Sequence, residues 1–226
     1  MLYLQAMEHL VSTKLDAFFV KYPVIHFKTG EIVIAASDPV TYIFYVQSGL
    51  VLQRFITEDG EEVSIHMFKP GSYFPVMISL SKHENEYDFI ALKDMDMHRA
   101  PVADVHLLLR DNPDLLYDLT KRFAEGIQGL AKKVVTLTFA DSHAKVSSCL
   151  LYFATKMGKK QHGGTCIALP FTHADIASWI GISRETVSRH IEMLGRLGIL
   201  TYKDNQIVIN DMNKLEAEIH KYSRRQ

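Results

Sequence analysis

Residues 171–200, FTHADIASWIGISRETVSRHIEMLGRLGIL, carry the strongest structural signal in the C-terminal part of the chain. It predicts two short helices joined by a tight turn. Thr172 is placed to cap the first helix, with Asp175 three residues later as in a capping box. Gly181 suits the turn because glycine accepts backbone angles that other residues avoid. Ser183 is then a favoured N-cap for the second helix.

The predicted second helix has one polar face and one apolar face. With about 100° between successive residues, one polar arc holds Arg184, Glu185, Ser188, Arg189 and Glu192. The opposite side, expected to pack against the body of the domain, holds Val187, Ile191, Leu194 and Leu197. Arginine donates to two acceptors of guanine, and glutamate accepts from the cytosine amino group. The exposed set therefore predicts a helix that reads DNA bases, whereas an ordinary amphipathic hairpin would carry only a solvated charged face.

The segment SRETVSR, residues 183–189, followed by an apolar helix end, resembles the DNA-binding helix of the CRP/FNR family of bacterial transcription regulators. The similarity extends over residues 10–222. It implies base reading by Arg184, Glu185 and Arg189, with the first two typical of members that read a GTGA-like half-site. Ser188 stands where other members place a serine that helps to read a TTGA-like half-site. The half-site therefore stays open between the two.

Phosphate contacts are expected where hydroxyl groups and backbone amides lie at helix starts. Those positions are Thr172, His173, Ser183 and Thr186, and Lys203 is expected to reach a phosphate from the following hairpin. For Thr172 and Ser183, helix capping is the alternative role.

Composition and charge fit a folded regulator. The chain has 226 residues, of which 47% are hydrophobic and 23% charged, as is ordinary for a folded domain. No apolar run approaches the length of a membrane span, and the N-terminus lacks the basic start of a secretion signal. We therefore expect a cytoplasmic protein. Residues 141–226 carry a net charge of +4 and residues 1–140 carry −5, which fits a DNA-binding module joined to a part that does not touch DNA.

The N-terminal part, residues 1–112, is expected to be a sensor domain. Residues 4–21 have helical spacing of apolar residues. Short apolar runs follow up to residue 101, separated by turn signals such as TEDGEE at 57–62, and predict an antiparallel sandwich or barrel. The resemblance implies a β jelly-roll of the cyclic-nucleotide-binding type. The fold class is therefore α+β.

A long helix is predicted over residues 113–138, within a dimerisation segment 113–140. Its apolar positions alternate at spacings of four and three, which is a heptad seam, and they are Leu116, Thr120, Phe123, Ile127, Leu130, Val134 and Leu137. The alternative is that the stripe packs on its own domain. The resemblance implies a homodimer through this helix. Two recognition helices about 34 Å apart would then read a palindrome of about 14–16 base pairs.

The C-terminal domain is expected to span residues 141–226 and to be a winged helix-turn-helix. Asp141 is placed to cap a helix at 142–157, and KMGKKQHGGT at 156–165 is expected to be a polar turn. The segment TCIALP, residues 165–170, predicts a strand. A hairpin turning at Asp204-Asn205 and a closing helix at 211–222 complete the domain.

The sensor domain departs from the pattern of family members that bind cyclic AMP. Those members hold the phosphate with an arginine and a small hydroxyl residue after a Gly-Glu pair. Here Pro75 and Val76 stand at the Gly-Glu position, and Glu86, Tyr87 and Asp88 stand near the arginine position. Acidic side chains repel a phosphate, so we expect no cyclic-AMP dependence. The open alternatives are a heme-dependent gas or redox sensor, another small molecule, or no effector.

Other functions find less support in the residues. Heme ligation would draw on the histidines of the first half, which are His9, His26, His66, His83, His98 and His106. A cupin-type metalloenzyme needs a His-x-His pair, and the two cysteines, Cys149 and Cys166, have no metal-ligand spacing. We therefore predict no catalytic residue, no metal and no cofactor. A dimeric scaffold would have no use for the exposed arginines. The expected partners are double-stranded DNA, a second copy of the chain and RNA polymerase, with no membrane.

Overall fold

The structure is a computed structural model that describes residues 2–81, 83–161, 163–167, 172–203 and 206–223. The chain divides into two compact units, Met1–Ile127 and Gln128–Gln226. Among the described residues, no helix combines the length and the apolar character needed to cross a membrane. The finer division at residues 112/113 and 140/141 stays a prediction.

The first unit is built around two antiparallel sheets of four strands each. Their strand orders are β1-β8-β3-β6 and β2-β7-β4-β5, as the predicted jelly-roll requires. The strands are β1 Val24–Phe27, β2 Ile32–Ile34, β3 Tyr42–Ser48, β4 Val51–Ile56, β5 Glu62–Phe68, β6 Tyr73–Phe74, β7 Asp88–Ala91 and β8 Met95–Pro101. The helices that begin in this unit are α1 Leu2–Phe19, α2 Val76–Ser81, α3 Val102–Asp111 and α4 Pro113–Phe139.

Turns of the first unit follow the glycine signals in the sequence. Gly49 links β3 to β4 with a φ of +88°, and a side chain there would overlap the Cβ atom of Met95. The β4–β5 hairpin closes where the N–H of Thr57 donates to the carbonyl of Glu61 at 2.9 Å. Glycine is therefore required at position 49 for conformation and for space.

Two apolar clusters hold the first unit together. Between the sheets, the Phe74 ring stacks on Phe44 and Phe89 with centroid separations of 5.7 and 5.2 Å. The second cluster joins the sheet to α1, α3 and the start of α4, where Leu115 and Leu119 are buried. The first turns of the long helix therefore belong to the core of their own unit.

The second unit combines four helices with one four-stranded sheet. Its helices are α5 Ser142–Met157, α6 His173–Ile180, α7 Arg184–Arg196 and α8 Met212–Ser223. Its strands pair in the order β11-β12-β10-β9, and they are β9 Gly158–Gln161, β10 Gly164–Ile167, β11 Leu200–Lys203 and β12 Gln206–Ile209. The side chain of Asp141 caps α5 by accepting from the N–H of Ala144 at 2.8 Å, as predicted.

The expectation of a polar turn after α5 is wrong for residues 158–161. This segment is the edge strand β9, with Lys159 opposite Cys166 and Lys160 opposite Thr165 on β10. Three of its four residues are exposed, because an edge strand can pair through its backbone while polar side chains face water. Periodicity of apolar residues therefore could not reveal it.

Both cysteines, Cys149 and Cys166, are buried as free thiols. Burial raises the pKa of the Cys149 thiol.

Candidate nucleic-acid interface

A capping box begins α6, as the sequence predicts. The hydroxyl of Thr172 accepts from the backbone N–H of Asp175 at 3.2 Å, and Oδ2 of Asp175 accepts from the backbone N–H of Thr172 at 2.7 Å. The same hydroxyl donates to Oδ2 at 2.7 Å. The capping role of Thr172 is confirmed, and its contact with a phosphate stays a prediction.

The turn between α6 and α7 has the predicted glycine geometry. Gly181 takes the left-handed values φ 64° and ψ 44°, and its N–H donates to the carbonyl of Ala177 at 2.8 Å. The hydroxyl of Ser183 then caps α7 by accepting from the N–H of Thr186 at 3.3 Å. Only residues 181–183 separate the two helices, as in a helix-turn-helix.

The inner face of α7 is apolar, with Val187, Ile191 and Leu194 buried. The expectation that Leu197 also packs inward is wrong, because this residue is 51% exposed. The helix ends at Arg196, and the chain reverses at Gly198, which has a φ of +68°. Ile199 and Leu200, the second of which is the first residue of β11, are buried in its place.

The outer face of α7 presents the four predicted base readers to solvent. Arg184, Glu185, Ser188 and Arg189 are all exposed, and at helical spacing they span about 140°. In the part of the chain that the structure describes, no salt bridge involves either arginine of this set. The guanidinium of Arg189 donates to the hydroxyl of Thr186 at 3.1 Å. By contrast, Arg196 farther along this face forms an ion pair with Glu192 at 2.6 Å.

His173 lies half-buried at the first turn of α6. Its ring is 5.3 Å from that of Tyr202 on β11. Its Nε2 atom is buried without a hydrogen-bond partner among the described residues. Burial, and secondly the positive charge of Arg184, lower the pKa of His173. A neutral imidazole at this position can approach a phosphate only as a hydrogen-bond donor.

The wing is the antiparallel hairpin of β11 and β12, with Thr201 opposite Val208 and Lys203 opposite Gln206. The predicted turn at residues 204–205 lies outside the described residues. The backbone of Lys203 ends β11, whereas its side chain lies outside the described part, so its phosphate contact stays a prediction. The remaining predicted phosphate residues are placed at helix starts, with Ser183 exposed and Thr186 half-buried.

The long helix leaves most of the predicted dimer seam uncovered. Phe123 packs against the core of its own unit, and Leu137 is half-buried. The exposed members of the seam are Leu116, Thr120, Ile127, Leu130 and Val134. The exposure of Ile127 is 67% and that of Val134 is 62%. An apolar row of this kind on one helix marks an interaction surface.

An acidic cavity borders residues 75–88, the segment in which the resemblance placed the phosphate-binding pattern. An open cavity of about 430 Å³ is lined by Met77, Ile78, Ser81, His83, Glu84, Glu86 and Tyr87. Beside it, Asp88 accepts from the backbone N–H of Ala36 at 2.8 Å and pairs with Arg54 at 3.4 Å. The same arginine pairs with Glu62 at 2.6 Å. Among the described residues, this nearby cation is therefore paired with two carboxylates, while its Nε atom is buried without a hydrogen-bond partner.

The histidines of the first unit have scattered partners. His26 lies 2.5 Å from a carboxylate oxygen of Asp96, His98 contacts the carbonyl of Tyr22, and His106 contacts Ser79. His66 is exposed beside Phe68, His83 lines the open cavity, and the side chain of His9 lies outside the described part. Among the described residues, no three His, Cys, Asp or Glu side chains form a group that could hold a metal ion.

Two polar contacts beneath the helix-turn-helix were not predicted. Lys133, in the last turns of α4, places its ammonium 4.2 Å from the ring centre of Trp179 on α6. On the other side, His190 of α7 contacts Ser142 and His143 of α5. The sequence did show His190 beside the apolar face of α7. It could not show the partners of this histidine, because they lie 47 and 48 residues away along the chain.

Two family models match the chain. A cyclic nucleotide-binding domain matches residues 24–112, and a Crp-like helix-turn-helix domain matches residues 144–218. Together they cover the jelly-roll and the DNA-binding region that the fold displays.

Comparison with characterised proteins gives the same architecture over most of the chain. The global nitrogen regulator of Nostoc sp. is 24% identical over 191 residues, which cover 83% of this chain and 86% of the relative. The cAMP-activated global transcriptional regulator CRP of Pasteurella multocida is 24% identical over 190 residues, covering 84% and 88%. The structure of FixK2 from Bradyrhizobium japonicum superposes with a TM-score of 0.75 at 20% identity, covering 87% of this chain and 96% of that one.

Proposed function

Because this chain belongs to the CRP/FNR family of transcription regulators, we propose that it binds a palindromic promoter site as a homodimer without needing cyclic AMP. The observation that carries the proposal is the outer face of α7. There Arg184, Glu185, Ser188 and Arg189 are exposed together while the inner face of the helix is buried. We assign base reading to these four residues.

The chemistry of the set supports base reading. The guanidinium of Arg184 is exposed at the first turn of α7, where it can donate to both acceptors of a guanine. Glu185 can accept from a cytosine amino group on the other strand, and each such pair contributes about 1–3 kcal/mol of discrimination. A half-site that contains a G·C pair is therefore expected, and both GTGA-like and TTGA-like arms provide one.

The exposed row on α4 supports the homodimer. Ile127, Leu130 and Val134 follow one another at helical spacing and are 67%, 49% and 62% exposed. Exposed apolar rows of this kind mark interaction surfaces, and a two-fold axis lets the same row on a second copy cover it. The two recognition helices of the dimer then face successive major grooves, which requires an inverted repeat.

Independence from cyclic AMP follows from the charge at the cavity. Glu84 and Glu86 line it, and the side chain of Arg54 is held by Glu62 and Asp88. Among the described residues, an incoming phosphate would meet these two acids, His83 and an arginine that is already paired with carboxylates. The regulator is expected to act in the cytoplasm, where its DNA lies, with RNA polymerase as a further partner of the bound dimer.

Selection of DNA from a random pool by the purified chain, with no ligand added, tests the proposal. Enrichment of an inverted repeat with GTGA-like or TTGA-like arms is expected. The Arg184→Ala variant should enrich arms that are degenerate at one base, and the matched control Arg110→Ala, an exposed arginine on α3, should select the wild-type site. Failure of the wild-type chain to enrich any sequence, with and without added cyclic AMP or heme, would refute the proposal.

A further inference from the structure

A continuous chain of four polar side chains ties the recognition helix to the two helices behind it. Oε2 of Glu218 on α8 lies 2.9 Å from Nε2 of His143 on α5. The Nδ1 atoms of His143 and His190 are 3.3 Å apart. Nε2 of His190 on α7 lies 2.9 Å from the hydroxyl of Ser142. We call Glu218, His143, His190 and Ser142 the histidine relay.

The relay lies in the packed interior behind the DNA-reading face. The side chains of His143 and Glu218 are 3% and 10% exposed, and His190 is half-buried. His190 follows directly after the base reader Arg189 on the same helix. The contacts of His190 therefore act on the same helix that carries the proposed base readers.

Proton positions in the relay follow from its acceptors. An ionised carboxylate only accepts, so Nε2 of His143 carries a proton and donates to Glu218. The contact between the two Nδ1 atoms is a hydrogen bond only when one of them carries a proton and the other does not. The hydroxyl of Ser142 can donate or accept, so Nε2 of His190 is satisfied with or without a proton. The relay therefore stays intact when the histidine pair is neutral and when it carries one extra proton.

A second extra proton breaks the relay. With both rings charged, two N–H groups point at each other across the 3.3 Å gap between the Nδ1 atoms, and neither can accept. Two like charges in a buried site also repel. The rings must then separate, and His190 is the partner that can turn toward solvent because it is the more exposed.

The charged groups around the pair come from each helix packed against it. The pKa of His190 is lowered, most strongly by burial and then by interaction with His143 and with Arg189. Asp141, at the start of α5, acts in the opposite direction and raises this pKa. Glu218 faces the pair from α8. Two carboxylates, Glu218 and Asp141, therefore favour charge on the pair, and burial and Arg189 oppose it.

We propose that the histidine relay positions the recognition helix, and that uptake of a second proton by the pair His143–His190 releases the helix and weakens specific DNA binding at acid pH. The inference rests on the proposed function, since α7 is taken as the DNA-reading helix. Each of the two relays in a dimer breaks in the step from one extra proton to two, so within that step the logarithm of Kd should rise by up to about 2 for each unit by which the pH falls.

The test is the affinity of the full chain for its selected site and for a scrambled duplex, between about pH 7.5 and about pH 5.5, where histidine titrates. The ratio of the two affinities should fall with pH in the wild type. His190→Asn keeps a donor toward Nδ1 of His143 without a titrating ring, and its ratio should stay flat. Glu218→Gln removes the carboxylate charge and should move the fall to lower pH.

Two controls separate other sources of pH dependence. His26→Asn makes the same change at an exposed histidine of the first unit and should titrate like the wild type. His66→Asn makes this change at a second exposed histidine of the first unit and should retain the acid loss as well. An equal pH profile in the wild type and in His190→Asn, or a flat wild-type profile, overturns the proposal while leaving the proposed function standing.

A measurement without DNA keeps the inference separate from the proposed function. Ring-nitrogen NMR of histidine-labelled wild-type chain should show His143 and His190 titrating as a coupled pair, with a change in the His143 signals on His190→Asn. Independent titration of the two rings would refute the proposed coupling between His143 and His190. Absence of DNA binding at every pH, with coupled titration present, refutes the DNA-reading role of α7 and with it the proposal.

Discussion

The dimer seam on α4 gives the prediction with the largest expected effect, which is the double substitution Ile127→Asp and Val134→Asp. The two side chains are 67% and 62% exposed. Full burial of such a side chain contributes about 1.5–3 kcal/mol, so covering the exposed two-thirds contributes about 1–2 kcal/mol for each. Two residues in two protomers then contribute about 4–8 kcal/mol to association. Loss of this contribution should weaken the dimer by at least about 1,000-fold.

Sedimentation equilibrium of the purified chain measures this change directly. The wild type should sediment as a dimer at micromolar concentration and the double variant as a monomer. Lys132→Asp adds the same side chain at an exposed position of the same helix, about 140° from residue 127, and should remain dimeric. Both apolar positions lie on the surface, so circular dichroism of the variant should match that of the wild type. A dimeric double variant would refute the assignment of the seam.

Other predictions concern the second unit. Asp141→Ala removes the cap of α5 and should lower the free energy of unfolding by about 0.5–2 kcal/mol. Urea denaturation measures this change, and an unchanged denaturation midpoint would contradict the prediction. Leu194→Ala leaves a cavity behind α7, where Leu194 is 0% exposed, and should cost about 2–5 kcal/mol in the same assay. Burial lowers the pKa of Lys133 to about 8, whereas this pKa is higher in the unfolded chain. Between the two pKa values the unfolded chain therefore binds more protons than the folded chain. The free energy of unfolding of the wild type should then rise as pH increases above about 8. Lys133→Met should lose that rise in urea denaturation at successive alkaline pH values, and an unchanged slope would contradict it.

Local signals in the sequence predicted most of the helix-turn-helix. The pair Thr172 and Asp175, the left-handed Gly181 and the cap Ser183 each act within a few residues of themselves. Their geometry therefore follows from short-range hydrogen bonding and backbone conformation. The jelly-roll turns were predictable for the same reason.

Long-range contacts could not be predicted from the same signals. His143 and Glu218 meet across 75 residues of sequence, and β9 pairs through its backbone without an apolar pattern. Leu197 fits the apolar side of α7 by periodicity, but the helix ends one residue earlier. These features depend on tertiary packing, which periodicity does not encode.

The most direct test of the account measures the affinity of the wild-type chain and of Arg184→Ala for the selected palindrome and for every single-base substitution in one arm. The wild type should lose about 1–3 kcal/mol when the guanine assigned to Arg184 is replaced, and the variant should lose this discrimination at that position alone. A variant that binds all duplexes more weakly by the same factor, with the preference for guanine intact, would contradict the claim that the outer face of α7 reads the bases.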